Sequence, residues 1–465
     1  MSPPPAAARP LAGLLVIGLG ASLPPLDLAV NVAFPAITAA FDLEMQSIRW
    51  VVAAYVLTYA SLMLAFGKLG DLVGYRRVFG AGLWLGAAAF VLCALAPDYG
   101  WLLAARTVQG VAAALLLSCA PALATSLYEE GRRIWVLGAF SSMAAAAGVL
   151  APLLGGASIA AFGWAGVFWF RAPIALLALL LLSRLPPFPQ APRRASVGGF
   201  DFATSSLLAA GLGMLLLAPT LVQSGDTVLP ALSAALAGAG LFYLFARRQQ
   251  DVAEPFLPGA VLRDPRFALI NLASIAVHFA GFTVPLLVPY YLTRIAGYGP
   301  LESGALLTAW PLGMMVGSAL AAPAARRLGT AAAALCGAAL VAAGLWAIGL
   351  LPSGPAAMLA ALPLHGAGVG LFHVAYTDIV IARLPRRDRG VAGSLTILTR
   401  TIGILIAAAA LSGAMHAIES GALATGAGSD EAFVHALRSV FQFTALAFSA
   451  FFALALLRLR PASSD

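Results

Sequence analysis

The sequence predicts an all-α integral membrane protein with fourteen transmembrane helices, arranged as two parallel six-helix repeats with two inserted helices. Three observations predict this class: the bulk composition, the number of long apolar runs and the placement of the basic residues. Hydrophobic residues make up 61% of the 465 positions, charged residues only 10%, and the mean hydropathy is +0.93. Soluble domains are about half apolar and a quarter charged, so this composition indicates a chain that lies in a lipid bilayer.

Fourteen apolar runs are long enough to cross a membrane, which takes about 20 residues of helix. The first run is longer than the apolar core of a signal peptide and has no clear cleavage site, so it is predicted to be a retained span. The predicted spans are 11–37, 48–67, 78–96, 101–125, 134–158, 163–183, 203–222, 229–246, 268–292, 302–323, 330–351, 356–383, 390–414 and 437–458.

The basic residues predict the orientation of these spans. If the N-terminus is cytoplasmic, 21 of the 27 lysines and arginines fall in inside segments. The exceptions are Arg49, Arg294 and Arg438 in outside loops and Arg106, Arg171 and Arg400 within spans. Short cytoplasmic loops are enriched in basic residues, so both termini are predicted to be cytoplasmic. Lys68 is the only lysine. This is typical of a GC-rich bacterial genome, and the expected location is the bacterial inner membrane.

The connections between spans predict three regions: a six-helix half at 1–183, cytoplasmic linkers with two inserted spans at 184–267, and a second six-helix half at 268–465. The outside connection 415–436 is polar and is expected to be a flexible surface loop. The net charge of +8 does not indicate nucleic-acid binding, because the basic residues lie in short loops and form no patch interleaved with aromatic residues. The three cysteines fall in apolar segments and predict no disulfide framework.

A weak internal repeat relates the two halves. GKLGDLVGYRR at 67–77 and APAARRLG at 322–329 place Gly74 and Gly329 255 positions apart. Gly148 and Gly403 keep the same separation, and Gln109-Gly110 and His365-Gly366 differ from it by one residue. Parallel repeats of six helices, related by an axis along the membrane normal, are typical of major facilitator transporters.

Two segments of the first half resemble motifs of the major facilitator superfamily. Gly67-x-Leu69-x-Asp71-x-x-Gly74-x-Arg76-Arg77 is similar to the signature between the second and third helices of that family. Arg106-x-x-Gln109-Gly110 resembles the second motif, in the fourth helix. The resemblance covers essentially the whole chain and implies a transporter in which substrate binds between the halves near mid-membrane.

Two further segments resemble the fourteen-helix drug–proton antiporter branch. Gly138, Pro152, Gly155 and Gly156 keep the spacing of the antiporter motif, although Ala147 and Ala151 replace two of its glycines. LDLAVNVAFP at 26–35 is similar to the branch's first-helix motif, without its threonine and with one residue fewer between Asp27 and Asn31. Close helix packing explains the small residues of the antiporter motif as well as export does.

Asp27 lies in LPPLDLAVNVAFP, ten residues below the predicted outer end of the first helix and therefore about 15 Å deep. Ionisable residues inside membranes are costly and usually mark ion pathways, so Asp27 is predicted to be the proton-coupling carboxylate. Pro24 and Pro25 are expected to break the helix and open this position to a cavity. Arg106 is the candidate partner, and the resemblance implies the same pair. The alternative is a structural carboxylate that binds backbone donors freed at the break.

The segment Gly67, Asp71, Gly74, Arg76 and Arg77 is predicted to be a conformational latch. Gly67 is expected to permit close helix approach, and a carboxylate at Asp71 can face the positive N-terminal end of another helix. The resemblance implies that this is the thirteenth helix, near Gly390. The alternative is a solvated loop aspartate paired with Arg76 or Arg77.

Four residues are predicted to line the substrate cavity: Asn31, Gln109, Arg171 and Arg400. Arg171 replaces an asparagine that is usual in the resembled branch. It could line the cavity, attract an anion, pair with Asp27 in place of Arg106, or reach outward to the membrane surface. If it faces the cavity, cationic substrates are disfavoured. Asp378 is a candidate partner for Arg400.

No metal site or cofactor is predicted. His278, His365 and His373 could bind a metal or relay protons, but core histidines explain them better. The sequence contains no serine–histidine–acid set, Walker loop or dinucleotide fingerprint, which argues against an enzyme and against an ATP-driven pump.

The leading hypothesis is a monomeric, proton-coupled exporter of amphipathic small molecules that works by alternating access, with protons, the small-molecule substrate and the lipid bilayer as its partners. The alternative on the same scaffold is a proton-coupled carrier for a specific metabolite or organic anion, including uptake. A transport-inactive sensor is disfavoured, because Asp27, Asp71 and Arg106 are all present.

Overall fold

The computed structural model describes residues 8–129, 132–185, 202–221, 228–249, 264–350, 355–383 and 389–459. These residues form helices and connecting turns, with no β-strand among them. Two of the residue positions discussed above, Lys68 and Asp71, are described for their backbone but not for their side chains.

The first part of the chain contains nine helices and two short 3₁₀ segments, Pro25–Asp27 and Met45–Ser47. The helices are α1 (Ala8–Ala21), α2 (Leu28–Val32), α3 (Phe34–Ala40), α4 (Ile48–Val73), α5 (Tyr75–Ala94), α6 (Tyr99–Thr125), α7 (Arg133–Phe162), α8 (Gly166–Trp169) and α9 (Arg171–Arg184). Two predicted spans are therefore interrupted: span 11–37 by the 3₁₀ segment after α1, and span 163–183 at Phe170, between α8 and α9.

Two helices follow in the region predicted to be inserted, and seven more complete the described chain. The first two are α10 (Phe202–Leu217), followed by the 3₁₀ segment Ala218–Leu221, and α11 (Leu229–Gln249). The others are α12 (Pro265–Arg294), α13 (Pro300–Leu307), α14 (Ala309–Leu328), α15 (Thr330–Leu350), α16 (Pro355–Arg383), α17 (Arg389–Ala424) and α18 (Ser429–Leu459).

Eleven helical segments of the described residues are long and apolar enough to cross a membrane. They are Leu11–Val32, Tyr75–Ala94, Tyr99–Thr125, Trp135–Phe162, Gly166–Arg184, Pro265–Arg294, Pro300–Leu328, Thr330–Leu350, Met358–Arg383, Leu395–Ala424 and Ser429–Ala455. The three remaining predicted spans coincide with α4, α10 and α11, of which Leu229–Phe245 in α11 is a shorter apolar helix. Apart from breaks such as those after Ala21, at Phe170 and at Thr308, the fourteen predicted spans are helical where described, and eleven segments qualify as candidate membrane spans by length and composition.

The described residues form two compact units. The first contains those of 1–43, 50–218 and 229–248, and the second those of 44–49, 219–228 and 249–465. In the first unit α5 packs against α6 and α9, with α1 beside α6 and α9. The core there is apolar and includes Leu14, Phe79 and Leu83, each at most 2% exposed. In the second unit α16 packs against α14 and α15, and α12 packs against α17.

One turn recurs in both units. Gly74 joins α4 to α5 with φ +98° and ψ 129°, and Gly329 joins α14 to α15 with φ +87° and ψ 152°. This positive-φ region is open to glycine and strained for residues with a Cβ atom. The two turns have the same backbone conformation at the positions that the repeat aligned, which explains why glycine occurs at both.

The expectation of a flexible loop at 415–436 is wrong. Helix α17 continues to Ala424 and α18 begins at Ser429, so only residues 425–428 connect them. Alanine and leucine in GALA favour helix, Gly426 ends it with φ +92°, and Asp430 and Glu431 lie in the first turn of α18, where acidic groups are favourable. Arg294 also binds this region, donating to Glu419 at 2.7 Å and to Ser429 Oγ at 2.7 Å.

Candidate functional site

The site begins at the break between α1 and α2. Pro25 has no backbone N–H, and the chain turns through a 3₁₀ segment in which Asp27 N donates to the carbonyl of Pro24 at 3.0 Å. The break places Asp27 at the start of α2 with its side chain 14% exposed. The expected interruption by the two prolines is therefore present, and it brings a carboxylate into the interior of the first unit.

Asp27 accepts four hydrogen bonds from three side chains. Its Oδ1 accepts from Arg106 Nη1 at 2.7 Å and from Arg171 Nη1 at 2.6 Å. Gln109 Nε2 donates to the same oxygen at 2.8 Å, and Arg106 Nη2 donates to Oδ2 at 3.0 Å. We call Asp27, Arg106 and Arg171 the Asp27 triad. Both arginines form ion pairs with the Asp27 carboxylate. Arg171 therefore pairs with Asp27 together with Arg106 and does not replace it.

Arg106 is held from three directions on α6. Its Nε donates to the carbonyl of Val51 at 3.2 Å, and its guanidinium lies 4.4 Å from the centre of the Tyr55 ring. Its Nη1 also donates to Gln109 Oε1 at 2.9 Å. Residues three apart lie on the same face of a helix, which explains why Arg106 and Gln109 reach one carboxylate together.

Arg171 is fully buried, with 0% of its side chain exposed, so it does not reach outward to the membrane surface. Its Nε donates to the carbonyl of Val167, one turn earlier, at 2.7 Å. The guanidinium lies 4.7 Å from the ring centre of Phe90 and 5.2 Å from that of Phe168. Its Nη2 is buried and makes no hydrogen bond to the described residues. A buried guanidinium with an unused donor nitrogen is costly in a protein interior.

Close backbone packing fixes the helices that carry these groups. A Cβ atom on Gly110 would lie 2.7 Å from the carbonyl oxygen of Tyr55, which holds α6 against α4. A Cβ atom on Gly155 would lie 2.9 Å from Cβ of Ala29, two residues after Asp27. Among the residues of the antiporter motif, Pro152, Gly155 and Gly156 are buried within α7, whereas Gly138 is exposed and has open space where a Cβ would stand.

A narrow pocket lies beside the triad in the first unit, with a cavity volume of about 10 Å³, which is about the room that one water molecule needs. Its walls are Leu23, Pro24, Tyr55, Gly86, Phe90, Gln109, Ala112, Ala113 and Leu116. Gln109 lines this pocket and also binds Asp27. Asn31 is half-buried on α2, one turn after Asp27, and does not belong to this wall.

The second unit contains an uncharged polar cluster that the sequence did not indicate. Ser274 Oγ lies 2.9 Å from Thr399 Oγ1, and Tyr376 OH donates to Asn271 Oδ1 at 2.8 Å and lies 3.1 Å from Thr399 Oγ1. His278 Nδ1 donates to the carbonyl of Ser274 at 2.8 Å. We call these five residues the Thr399 network. Serine, threonine and tyrosine are common in membrane helices. Which of them contact each other depends on how each helix is rotated about its axis, and the sequence does not show this rotation.

Arg400 and the histidines lie around this network. Arg400 is exposed on α17 and interacts electrostatically with His278 and His373. The rings of His278 and His373 meet edge to face with centres 5.5 Å apart, and His365 accepts a hydrogen bond at Nδ1 from Trp310 Nε1 at 2.9 Å. Asp378 contacts Thr330 at 3.3 Å rather than Arg400. Groups of three metal-ligating side chains are absent from the described residues.

The residues predicted to form a latch are only partly described. Arg76 Nη2 donates to the carbonyls of Leu182 and Leu185 at 2.7 Å and 2.8 Å, so it binds the C-terminal end of α9. Arg77 is exposed. Within the unit, a Cβ atom on Gly67 would have its nearest neighbour 3.9 Å away. The tightly packed glycine of this segment is Gly70, on which a Cβ atom would lie 2.8 Å from Cys119 Sγ. The side chain of Asp71 lies outside the described part.

The fold and the buried charged groups are those of a secondary transporter, and comparison with known proteins identifies the family. The profile of the Major Facilitator Superfamily matches residues 11–408. The chain therefore belongs to this superfamily and is a multi-pass membrane transporter; members of the family are generally not enzymes.

Its curated relatives are bacterial transporters. The chain is 33% identical over 399 residues to the uncharacterized transporter YebQ of Escherichia coli strain K12, covering 84% of this chain and 86% of the relative. It is 30% identical over 395 residues to the methylenomycin A resistance protein of Streptomyces coelicolor, covering 83% and 82%. It is 27% identical over 402 residues to the riboflavin transporter RibZ of Clostridioides difficile, covering 85% and 86%.

Solved structures agree on the fold. A bacterial homologue of the human lysosomal transporter Spinster, in an inward-facing and unoccupied conformation, matches with a TM-score of 0.70 and 18% identity over 100% of both chains. A peptide transporter of the POT family, in complex with sulfate, matches with a TM-score of 0.71 and 15% identity over 95% of this chain and 94% of that one.

Proposed function

We propose that this protein is a proton-coupled secondary transporter that exports amphipathic small molecules by alternating access across a bacterial inner membrane. In this proposal it belongs to the fourteen-helix drug–proton antiporter branch, all fourteen helical segments cross the bilayer, both termini are cytoplasmic and a monomer is the working unit. Asp27 is the proton-coupling carboxylate, and Arg106 is its partner.

The observation that carries the proposal is the ion-paired carboxylate of Asp27 within a predicted membrane span. Placing charges in a bilayer is expensive, and such groups are kept where they bind ions or substrates. The alternative of a merely structural carboxylate is weaker, because the donors to Asp27 come from three charged or polar side chains on two other helices and not from the broken backbone.

The geometry constrains how a proton could be loaded. Two guanidinium cations pair with the carboxylate and favour its charged form, so protonation of Asp27 requires that at least one of them leaves. We therefore infer two states in the transport cycle, one with the triad closed and one in which an arginine has separated from Asp27. The 3₁₀ break before α2 is a suitable place for this movement, because regular helical hydrogen bonding is already interrupted there.

Proton coupling would supply sufficient driving force. A membrane potential of roughly 100 mV gives ~2.3 kcal/mol per charge. One pH unit adds ~1.4 kcal/mol. Together these support a concentration gradient of roughly 500-fold for each proton. The names of two relatives, the methylenomycin A resistance protein and the tetracenomycin C resistance and export protein of Streptomyces glaucescens, support export as the direction.

The latch and the antiporter motif remain proposals with separate roles. We propose that Gly67, Asp71, Gly74, Arg76 and Arg77 hold one conformation closed on the cytoplasmic side. The contact between Arg76 and the end of α9 supports a bracing role for this segment, since it ties α5 to α9. Gly155 and Gly156 in α7 would allow α2 to stay close to α7 while Asp27 changes partners.

The second candidate is a carrier for a specific metabolite or organic anion on the same fold. Arg171 favours it, because a second buried arginine at the site adds positive charge. The relative named as a riboflavin transporter also supports it. Accumulation of several unrelated dyes in cells discriminates the two: an exporter of broad range lowers the accumulation of several dyes, and a metabolite carrier lowers none.

The test is substrate-induced proton movement in reconstituted vesicles that contain a pH-sensitive dye. The parent protein and Asp27→Asn are compared across lipophilic cations, anions and neutral compounds. We expect at least one compound to drive proton movement in the parent and none to do so in Asp27→Asn, because an amide cannot carry the proton. Thr399→Val is the matched control and should couple as the parent does. If Asp27→Asn couples normally, the proton site lies elsewhere, with His278 and His373 as the next candidates.

A further inference from the structure

The Asp27 triad carries one positive charge in excess. Arg106 and Arg171 are both guanidinium cations, and Asp27 is the one acidic side chain that forms an ion pair with either of them among the described residues. Arg106 has 3% and Arg171 0% of its side chain exposed, so solvent compensates little of this charge. An uncompensated buried charge is unstable in a protein interior and more so in a bilayer.

Neighbouring groups do not supply the missing negative charge. The titratable side chains closest to the triad are Tyr55 and Cys93, which are uncharged in their ordinary protonation state. The next carboxylate along α4 is Asp71, sixteen residues after Tyr55 and therefore about 24 Å away along the helix. Asp98, on the other side, binds the backbone N–H of Trp101 at the start of α6. The compensating anion must therefore come from outside the described protein.

The unused hydrogen-bonding capacity lies on Arg171. Oδ1 of Asp27 already accepts three hydrogen bonds and Oδ2 accepts one, whereas Nη2 of Arg171 has no hydrogen-bond partner in the described residues. Arginine binds carboxylates and other oxyanions well because its donors form a fork that matches two oxygen atoms. Arg171 presents one half of that fork to Asp27 and leaves the other half open.

The pocket beside the triad has an apolar wall and a single polar contact. Phe90 forms part of the pocket wall and also packs against the guanidinium of Arg171 at 4.7 Å, so one aromatic ring separates the pocket from the charge. Gln109 lines the pocket and binds both Asp27 and Arg106. In the described conformation the pocket has room for about one water molecule, so a larger ligand can lie next to the triad only after the Phe90 side chain rotates and the pocket widens.

We propose that Arg171 is the anion-binding residue of a substrate subsite in the first unit, and that the substrate is an amphipathic organic anion with a carboxylate or similar group. This inference rests on the proposed transport function and narrows its substrate class. The anion takes the open donor of Arg171 and neutralises the triad, and its apolar part lies against the apolar wall at Phe90 in a conformation in which the pocket has widened. An amphipathic cation would add to the existing excess charge and is excluded from this subsite.

The test uses three matched compounds that differ in charge alone: naphthoate, naphthalenemethanol and naphthylmethylammonium. Their binding to purified parent protein, Arg171→Gln and Arg184→Gln is measured by isothermal calorimetry or by thermal stabilisation. Arg184 is exposed at the end of the same helix and is the control for general charge. We expect the parent to bind naphthoate best, Arg184→Gln to keep that preference, and Arg171→Gln to lose at least tenfold in naphthoate affinity while its affinity for the neutral compound changes little.

Three results would overturn the proposal. The first is a parent protein that prefers the ammonium compound or makes no distinction, a result that does not depend on any variant folding. The second is Arg171→Gln with unchanged preference for naphthoate. The third is chloride binding at the triad that naphthoate cannot displace, which would identify an inorganic counter-ion. A further variant, Cys93→Ala, should keep the naphthoate preference; if it abolishes the preference, the cysteine and not Arg171 controls the site.

Failure of this proposal can be told apart from failure of the proposed function. If Asp27→Asn loses proton coupling while Arg171→Gln transports anions as the parent does, the transporter function stands and the substrate class is wrong. If the parent binds naphthoate through Arg171 but no compound moves protons, the subsite stands and the proton coupling is wrong.

Discussion

The two units bury their polar groups in different ways. The Asp27 triad of the first unit consists of full charges, with donor nitrogens of both arginines within 3.0 Å of the Asp27 carboxylate oxygens. The Thr399 network of the second unit consists of hydroxyl, amide and imidazole groups, with its charged neighbour Arg400 exposed. The units share a turn at Gly74 and Gly329 and resemble each other in helix order, so the difference lies in chemistry and not in architecture.

This difference separates two tasks of a carrier. Charges can bind a proton or an ion but are expensive in lipid, whereas neutral hydrogen bonds hold helices together at lower cost. The buried carboxylate and both arginines that pair with it lie in the first unit, so the cost of this ion-paired group falls on that unit. On this view the triad determines coupling and substrate charge, and the Thr399 network maintains the structure of α12, α16 and α17.

The largest expected effect on stability comes from removing the carboxylate of the triad. Asp27→Asn leaves two buried guanidinium groups without their counter-charge and should lower the free energy of unfolding by about 3–5 kcal/mol. Thr399→Val removes one hydroxyl from the neutral network and should cost about 1–2 kcal/mol. Thermal unfolding in detergent measures both. Equal losses at the two sites would show that charge is not what distinguishes the units.

Alanine substitutions at tightly packed glycines give a second comparison of the two units, with smaller expected effects. An alanine at Gly155 would press against Ala29 beside the triad, and one at Gly403 would approach the carbonyl of Ile275 at 2.6 Å beside the Thr399 network. Each should lower the free energy of unfolding by about 1–3 kcal/mol. Only Gly155→Ala should also weaken substrate-driven proton movement in vesicles, because only Gly155 positions the helix that carries Asp27.

Gly138→Ala is the control for these two glycine variants, since open space surrounds its Cβ position. It should be neutral, or stabilising by up to about 1 kcal/mol through the higher helix propensity of alanine. A Gly403→Ala protein that loses proton coupling while keeping its thermal stability would assign the coupling to the second unit instead.

The smallest effect is expected at a charged contact that is not buried. Arg294 binds Glu419 at 2.7 Å with 35% of its own side chain exposed. Glu419→Gln should cost about 0.2–1 kcal/mol and less at high salt. A loss comparable to that of Asp27→Asn would mean that the presence of charge, and not its burial, explains the cost at the triad.

The sequence alone identified part of the candidate site. Asp27 and Arg106 could be paired, because a depth count puts the carboxylate well inside the membrane, Arg106 lies in the same half of the chain and the family resemblance implies the same pair. Gln109 was predicted only to line the substrate cavity, and its hydrogen bond to Asp27 was not foreseen. The contacts of Arg171 could not be predicted, because a uniformly apolar helix has no polar face that would show how the helix is rotated in the structure. The structure shows that it binds the same carboxylate as Arg106, which the sequence had considered only as a replacement.

The other differences between the sequence-based predictions and the structure also arise because the sequence does not show which helix faces are exposed or packed. Polarity in 415–436 indicated a loop, but polar residues also occur on exposed helix surfaces, and the connection there is four residues long. The sequence also did not indicate that Gly70 is a tightly packed glycine, which helix rotation places against Tyr75 and Cys119. The Thr399 network was missed altogether, since its members are unremarkable residue types on three separate helices.

The paired turns at Gly74 and Gly329 have a consequence for how far this chain can diverge. Both positions have φ near +90°, where a side chain strains the backbone even though open space surrounds each Cβ position. Saturation mutagenesis should therefore find these two sites among the most restrictive in the protein, tolerating asparagine or aspartate at best. The charged residues beside these turns differ, with Asp71 in the first repeat and Arg326 in the second. The two repeats therefore share a backbone dihedral angle at this turn and do not share the charge beside it.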